Sequence, residues 1–245
     1  MDQGAFMAAA ALTKRWISVN TAIAAGVLVV SGCSAVEGNG TSASPTTAIP
    51  SRTSSPPLTA EQLKALALKA NEVPRAHSVP IQDPVPKSEQ RTFPPVSDAS
   101  CQTALDVLGG KTASAAVIQI FNWKRDIWPG GSTLASYEGG KAQRAFRQLQ
   151  DSLETCRSFT GVGWTGKFHA RIVVDKAPDV GDEALSFHQL SQLPDGGGLR
   201  DAHHVYVRVG NTTADFEKLN VGDKAQFPLA LVEKQVDRLS SALHG

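Results

Sequence analysis

The chain has 245 residues, 41% of them hydrophobic and 19% charged, with 24 Lys+Arg against 23 Asp+Glu. Residues 1–32 hold Asp2, Lys14 and Arg15, so the remainder is balanced in formal charge. A neutral chain without a polybasic block excludes nucleic acid as a partner held through its phosphates.

Lys14 and Arg15 precede residues 16–30, an uncharged and mostly apolar run of secretory-core length. A comfortable membrane-spanning helix needs about 20 apolar residues, and this run is shorter. It ends in Val30-Ser31-Gly32-Cys33, an aliphatic residue, two small ones and a cysteine. That pattern resembles the bacterial lipobox, which implies thioether lipidation of Cys33 and cleavage before it. Residues 1–32 are read as a lipoprotein signal peptide, with Met7 as an alternative start. The expectation is an exported protein held by acyl chains on the outer face of the cell membrane.

Export permits disulfides. With Cys33 assigned to lipid, Cys101 and Cys156 form an even pair with one possible pairing, and two free buried thiols are the alternative. Residues 33–57 are rich in Ser, Thr, Gly and Pro with few large apolar side chains, and read as a flexible tether.

The domain is expected over residues 58–245. Thr59 is a plausible N-cap for a helix carrying Leu63, Leu66 and Ala70 on one face. A Pro-rich passage from Pro74 to Pro95 reads as irregular. A short helix near Ser100 is stopped by Gly109 and Gly110. "ASAAVIQIFNW" and "STLASYE" read as strands. The period then changes, and Ala142, Ala145, Phe146, Leu149, Leu153 and Cys156 share a helical face. Strands follow at "KFHARIVVD", "DEALSFHQL" and "HHVYVRVG". A last helix opens at Pro228 with a stripe of Leu229, Val232, Val236, Leu239 and Leu243. Most connections are too short for parallel crossovers, so the fold class is α+β: a twisted antiparallel sheet with packed helices, stapled by one disulfide.

Several local stretches together resemble the PknH-like extracellular sensor domain of actinobacteria, found on receptor kinases and on free-standing lipoproteins. They are "CQTALDVLG", "STLASYE", "GGKAQRAFRQLQDSLETCRSFTG", "VGDEALSF", "VYVRVG" and the final amphipathic helix. The resemblance implies an antiparallel sheet, packed helices and a central cleft for an unidentified ligand. The kinase form typically has two disulfides, and only Cys101 and Cys156 are available here. No kinase domain is present, so a signal would pass through a partner.

Catalytic signatures are absent: there is no G-x-S-x-G, S-x-x-K or H-E-x-x-H. "GVGWTG", Gly161 to Gly166, matches a dinucleotide fingerprint in letters, but it follows a helix and precedes a strand, the reverse of what phosphate binding needs. Its glycines are read as turn residues, and no cofactor is expected. His203 and His204 are adjacent on a strand and point to opposite faces, so they cannot jointly chelate one metal ion. Alternation leaves Lys167, His169 and Arg171 on one side of "KFHARIVV", and His204, Tyr206 and Arg208 on one side of "HHVYVRVG". Provided these strands are neighbours, His169, Arg171, His204, Tyr206 and Arg208, with Trp164 nearby, make a cationic and partly aromatic ligand surface.

Three function classes remain. The leading one is a non-catalytic domain binding an envelope small molecule or protein. The second is an extracytoplasmic hydrolase using Asp182, Glu183 and His188. The third is a structural surface lipoprotein.

Overall fold

The computed structural model describes residues 56–82, 92–163, 166–193 and 196–244. The expected signal peptide, Cys33, most of the expected tether and Trp164 lie outside the described residues. Among these residues no helix is long and apolar enough to cross a membrane.

Helix α1 (Ala60–Leu66) starts where expected. The Thr59 hydroxyl accepts from the Gln62 N–H at 3.2 Å, and the Gln62 side chain accepts from the Thr59 N–H at 2.8 Å, a reciprocal capping box. It ends short of Ala70 for a tertiary reason. The Leu66 and Ala67 carbonyls leave the helical ladder and accept from Gln235 and Arg238 of the last helix.

The described strands are β1 (Ala76–Ser78), β2 (Ile81–Gln82), β3 (Ala115–Trp123), β4 (Gly130–Ser136), β5 (Ser158–Gly163), β6 (Gly166–Asp175), β7 (Glu183–Gln192), β8 (Leu199–Val209) and β9 (Thr212–Val221). They build one antiparallel sheet in the order β1-β3-β4-β9-β8-β7-β6-β5, with β2 beside β3. Helices α2 (Ala99–Leu108) and α3 (Lys141–Thr155) pack on one face; α1 and α4 (Leu229–His244) pack on the other. The α+β class expected from the sequence is the one found.

Two cores follow from this layering. Val117, Phe121, Leu134, Val207 and Phe216 of the sheet meet Leu63, Val232, Val236 and Leu239 of the helices. On the opposite face Ala135, Phe187 and Tyr206 meet Ala104, Val107, Phe146 and Leu149. Strands β9 and β8 are therefore covered on both sides, which buries polar residues that an exposed sheet face would leave in water.

Cys101 in α2 and Cys156 at the end of α3 form a disulfide with a Cα–Cα distance of 5.0 Å, packed beside Phe159 and Ala170. The GVGWTG stretch contributes Gly161 and Gly163 to β5 and Gly166 to β6. These strands pair as a hairpin and no helix follows, so the three glycines are strand residues where turn residues were expected. Residues 50–245 make a compact unit with its own cores and disulfide, the properties of a domain that folds alone.

Candidate functional site

Helices α1 and α4 lie over β3, β4, β8 and β9. Next to them, on the same face, residues 222–228 run from β9 to α4 past β8. A polar cluster has formed in this region.

Register explains who meets whom. Val173, His188 and His203 stand opposite one another across β6, β7 and β8. Asp175 is two residues past Val173, and Asp201 two residues before His203, so both occupy diagonal positions on the same face as His188. His188 Nδ1 lies 2.7 Å from Asp201 Oδ1, and its Nε2 lies 3.0 Å from Asp175 Oδ2. Lys224 Nζ donates to Asp175 Oδ2 at 2.9 Å, and the Ala225 N–H donates to Asp201 Oδ2 at 3.1 Å. The His203 ring centre is 4.7 Å from that of His188. His203 Nδ1 accepts from the Phe227 N–H at 3.0 Å, and its Nε2 lies 3.0 Å from Ser186 Oγ.

These contacts fix the electrostatics. The Lys224 hydrogen bond, helped by the charge on His188, holds Asp175 below the usual carboxylate range. Burial, reinforced by the charges of His188 and His204, lowers His203 to about 4. A neutral His203 that accepts at Nδ1 must carry its proton on Nε2 and donate to Ser186. A general base needs the opposite arrangement, with its free lone pair aimed at the hydroxyl. Each ring nitrogen of His188 is engaged with a carboxylate, Nδ1 with Asp201 and Nε2 with Asp175. The cluster offers a ligand hydrogen-bonding groups at the floor of a cleft, and His203 is not arranged as a base towards Ser186. Among the described residues no set of three His, Cys, Asp or Glu side chains is placed to hold a metal ion.

The low pKa of His203 has a measurable consequence. The unfolded chain protonates this histidine near 6.5 and the folded protein only near 4. Acid between those values therefore favours unfolding, and the stability present above 6.5 falls as the pH drops towards 4. Allowing for solvent screening, the loss is about 2 kcal/mol. Urea titrations at several pH values should show His203→Asn reducing this slope relative to wild type; identical slopes would contradict the assignment.

Two clefts open on the cluster. One of about 240 Å³ is lined by Val173, Asp175, His188, Leu199, Asp201 and Lys224. The other, about 400 Å³, reaches Ser186, His203 and Phe227 beneath residues 176–179. At the first, Lys224 is 64% exposed, whereas His188 is 3% exposed. Lys224 thus sits at the rim and His188 at the floor.

The expected cationic surface is not assembled. It required β6 and β8 to be neighbours, and β7 lies between them. Register sends His169 and Arg171 to the α1/α4 face, and His204, Tyr206 and Arg208 to the α2/α3 face. His169 and Arg171 are exposed. Tyr206 is buried, which pushes its pKa up. His204 is buried against Asp215, both carboxylate oxygens lying 3.2 Å from Nδ1. Burial alone would lower His204, but the charge and hydrogen bond of Asp215 outweigh it and raise the histidine. The two adjacent histidines do point to opposite faces, as alternation requires.

Arg208 is consumed by structure. It donates to Glu183 at 2.6 Å, to Asp182 at 2.8 Å and to the Gly210 carbonyl at 3.0 Å. The acidic pair of the GDE turn is therefore its counter-ion set. The hydrolase reading fails on the same geometry. Glu183 and His188 are on opposite faces of β7 and about 16 Å apart along it at roughly 3.3 Å per residue, so Asp182, Glu183 and His188 share no site. Sequence reasoning did not connect Asp175, Ser186, Asp201 and Lys224 to His188. The available signal was one-in-two spacing, which puts Ser186 and His188 on one face of β7.

No protein-family model matches this sequence, and no curated protein matches it. Among solved structures, it is similar to the extracellular domain of PknH from Mycobacterium tuberculosis. The identity is 15%, the likeness covers 77% of this chain and 97% of that chain, and the TM-score is 0.55. At that identity the likeness is one of fold, and it agrees with the fold that the sequence resemblance implies.

Proposed function

We propose that this chain is an exported lipoprotein, anchored at Cys33, whose domain binds an envelope ligand in the clefts beside His188 and His203 without chemistry. The observation that carries the reading is the His188 cluster. Its polar groups are hydrogen-bonded within the protein, yet they floor an open cleft. Buried ion networks of this kind add little net stability compared with apolar packing of the same volume, so stability alone is a weak reason for the cluster. A floor with donors and acceptors together, flanked by Val173, Leu190 and Leu199, suits a neutral hydroxyl-bearing molecule such as envelope carbohydrate. The fold shared with an extracellular domain supports an exterior location.

The test is thermal melting of residues 50–245 with a carbohydrate fraction of the cell envelope. A ligand in excess of its Kd raises the midpoint by mass action. The rise should appear in wild type and vanish in Lys224→Ala, whose own midpoint stays near wild type. A rise retained in Lys224→Ala and in Asp175→Asn would place binding elsewhere. For the anchor, Cys33→Ala should block acyl labelling and leave the precursor uncleaved; normal labelling would overturn the lipid assignment.

A further inference from the structure

The β3–β4 connection, residues 124–129, is basic and apolar at once: Lys124, Arg125, Asp126, Ile127, Trp128 and Pro129. Its frame is fixed. Lys218 donates to the Trp128 and Leu219 carbonyls, each at 2.7 Å, pairs with Asp126 at 3.1 Å, and lies 5.4 Å above the Trp123 ring. The Lys124 N–H donates to the Arg75 carbonyl at 2.8 Å, which ties the tip to the turn before β1.

Three cations remain. Arg75, Lys124 and Arg125 are exposed, and among the described residues their side chains make no ion pair or hydrogen bond. Arg75 (φ 58°) and Arg125 (φ 65°) are also the described non-glycine residues with positive φ. A side chain with a Cβ is disfavoured there, and such outliers cluster where a binding surface needs them. Both arginines line one cleft of about 710 Å³, walled by Pro74, Trp123, Pro228 and Leu231. Two residues after Arg125, Ile127 stands 83% exposed, more than any other large hydrophobic side chain described.

We propose that this tip docks the domain on anionic lipid. Ile127 enters the interfacial layer of the bilayer, and Arg75, Lys124 and Arg125 hold lipid headgroups, one of them seated in the cleft over Trp123. The pairing of an apolar apex with free cations is the chemistry of interfacial binding. A soluble anion would have no use for Ile127. A partner protein would cover roughly 800 Å², far more than a six-residue tip presents.

The topology permits this contact. The Leu58 N–H donates to Ser136, at the end of β4 remote from Gly130, so the chain enters the domain away from the tip. The docking does not depend on an anchor at Cys33, and its failure would leave the His188 cleft untouched.

The experiment is sedimentation of residues 50–245 with two kinds of vesicle, phosphatidylcholine alone and equal parts phosphatidylcholine and phosphatidylglycerol. The domain should sediment with the anionic vesicles and stay soluble with the neutral ones. Arg75→Gly and Arg125→Gly each weaken binding about fivefold, while their melting midpoints hold or rise because glycine suits the positive φ. Ile127→Ser weakens it about tenfold. Sedimentation with neither vesicle, equal sedimentation with both, or variants that bind like wild type would each overturn the proposal. Glycerol 1-phosphate is the third probe. A saturable tryptophan fluorescence change with it, in a domain that ignores vesicles, would assign the cleft to a soluble anion instead.

Discussion

Cys101→Ser lowers the melting midpoint of the oxidised domain by about 8–16 °C. The disulfide closes a sequence separation of 55 residues, and a loop of that length is worth about 4 kcal/mol in the chain-entropy model. For a domain of this size each kcal/mol moves the midpoint by about 2–4 °C. Both sulfurs are buried, so a serine hydroxyl at position 101 also loses its water without a ready partner. Circular dichroism melts of wild type, reduced wild type and the variant separate the two effects. Reduction removes the cross-link alone, and the variant adds the buried hydroxyl. An unchanged midpoint in both would mean that the α2–α3 packing needs no staple.

Asp201→Ala is the second large effect, a loss of about 3 kcal/mol. The Asp201 carboxylate is the partner of both His188 Nδ1 and the Ala225 N–H. Removing it strands a buried imidazole and a backbone donor, and breaking one side of a buried pair costs far more than the pair contributes. Lys224→Ala, at the exposed rim, should cost under about 1 kcal/mol. Combining Asp201→Ala with His188→Leu should recover part of the loss, because the unpartnered ring nitrogen goes with the histidine. Equilibrium urea unfolding measures these variants together with the His188→Leu single. A double variant whose loss equals the sum of the Asp201→Ala and His188→Leu losses would show that the two side chains are not coupled.

The helices were the most legible part of this fold. Thr59 as a cap and the Leu149–Leu153 face of α3 are local signals, and both are found. The strands read clearly where apolar residues alternate or run together, as in β3 and β8. β9 was missed because Asp215, Glu217, Lys218 and Asn220 look like a surface loop. Asp215, Glu217 and Lys218 are met by His204, Arg200 and the Trp128 carbonyl, and Asn220 accepts from the Val221 N–H. β5 was hidden by its glycines. Phe168 presses against Gly161 so closely that a Cβ there would lie 2.8 Å from the ring, a constraint that only tertiary structure reveals.

The site was less legible than the fold. Alternation correctly separated the faces of β6 and β8, but strand order is not a local property. Inserting β7 between them divided His169 and Arg171 from His204, Tyr206 and Arg208. Lys224 and Ala225 reach the cluster from a connection that carries no periodic signal at all.

The proposed function requires the cleft beside His188 to hold a ligand. Native mass spectrometry of residues 50–245, exported by a bacterial host and purified without detergent, tests this most directly. The prediction is a reproducible added mass of carbohydrate size on the wild-type domain, absent from Lys224→Ala and Asp175→Asn. The bare polypeptide mass for wild type, unchanged after incubation with envelope carbohydrate, would contradict it, as would an added mass that both variants retain.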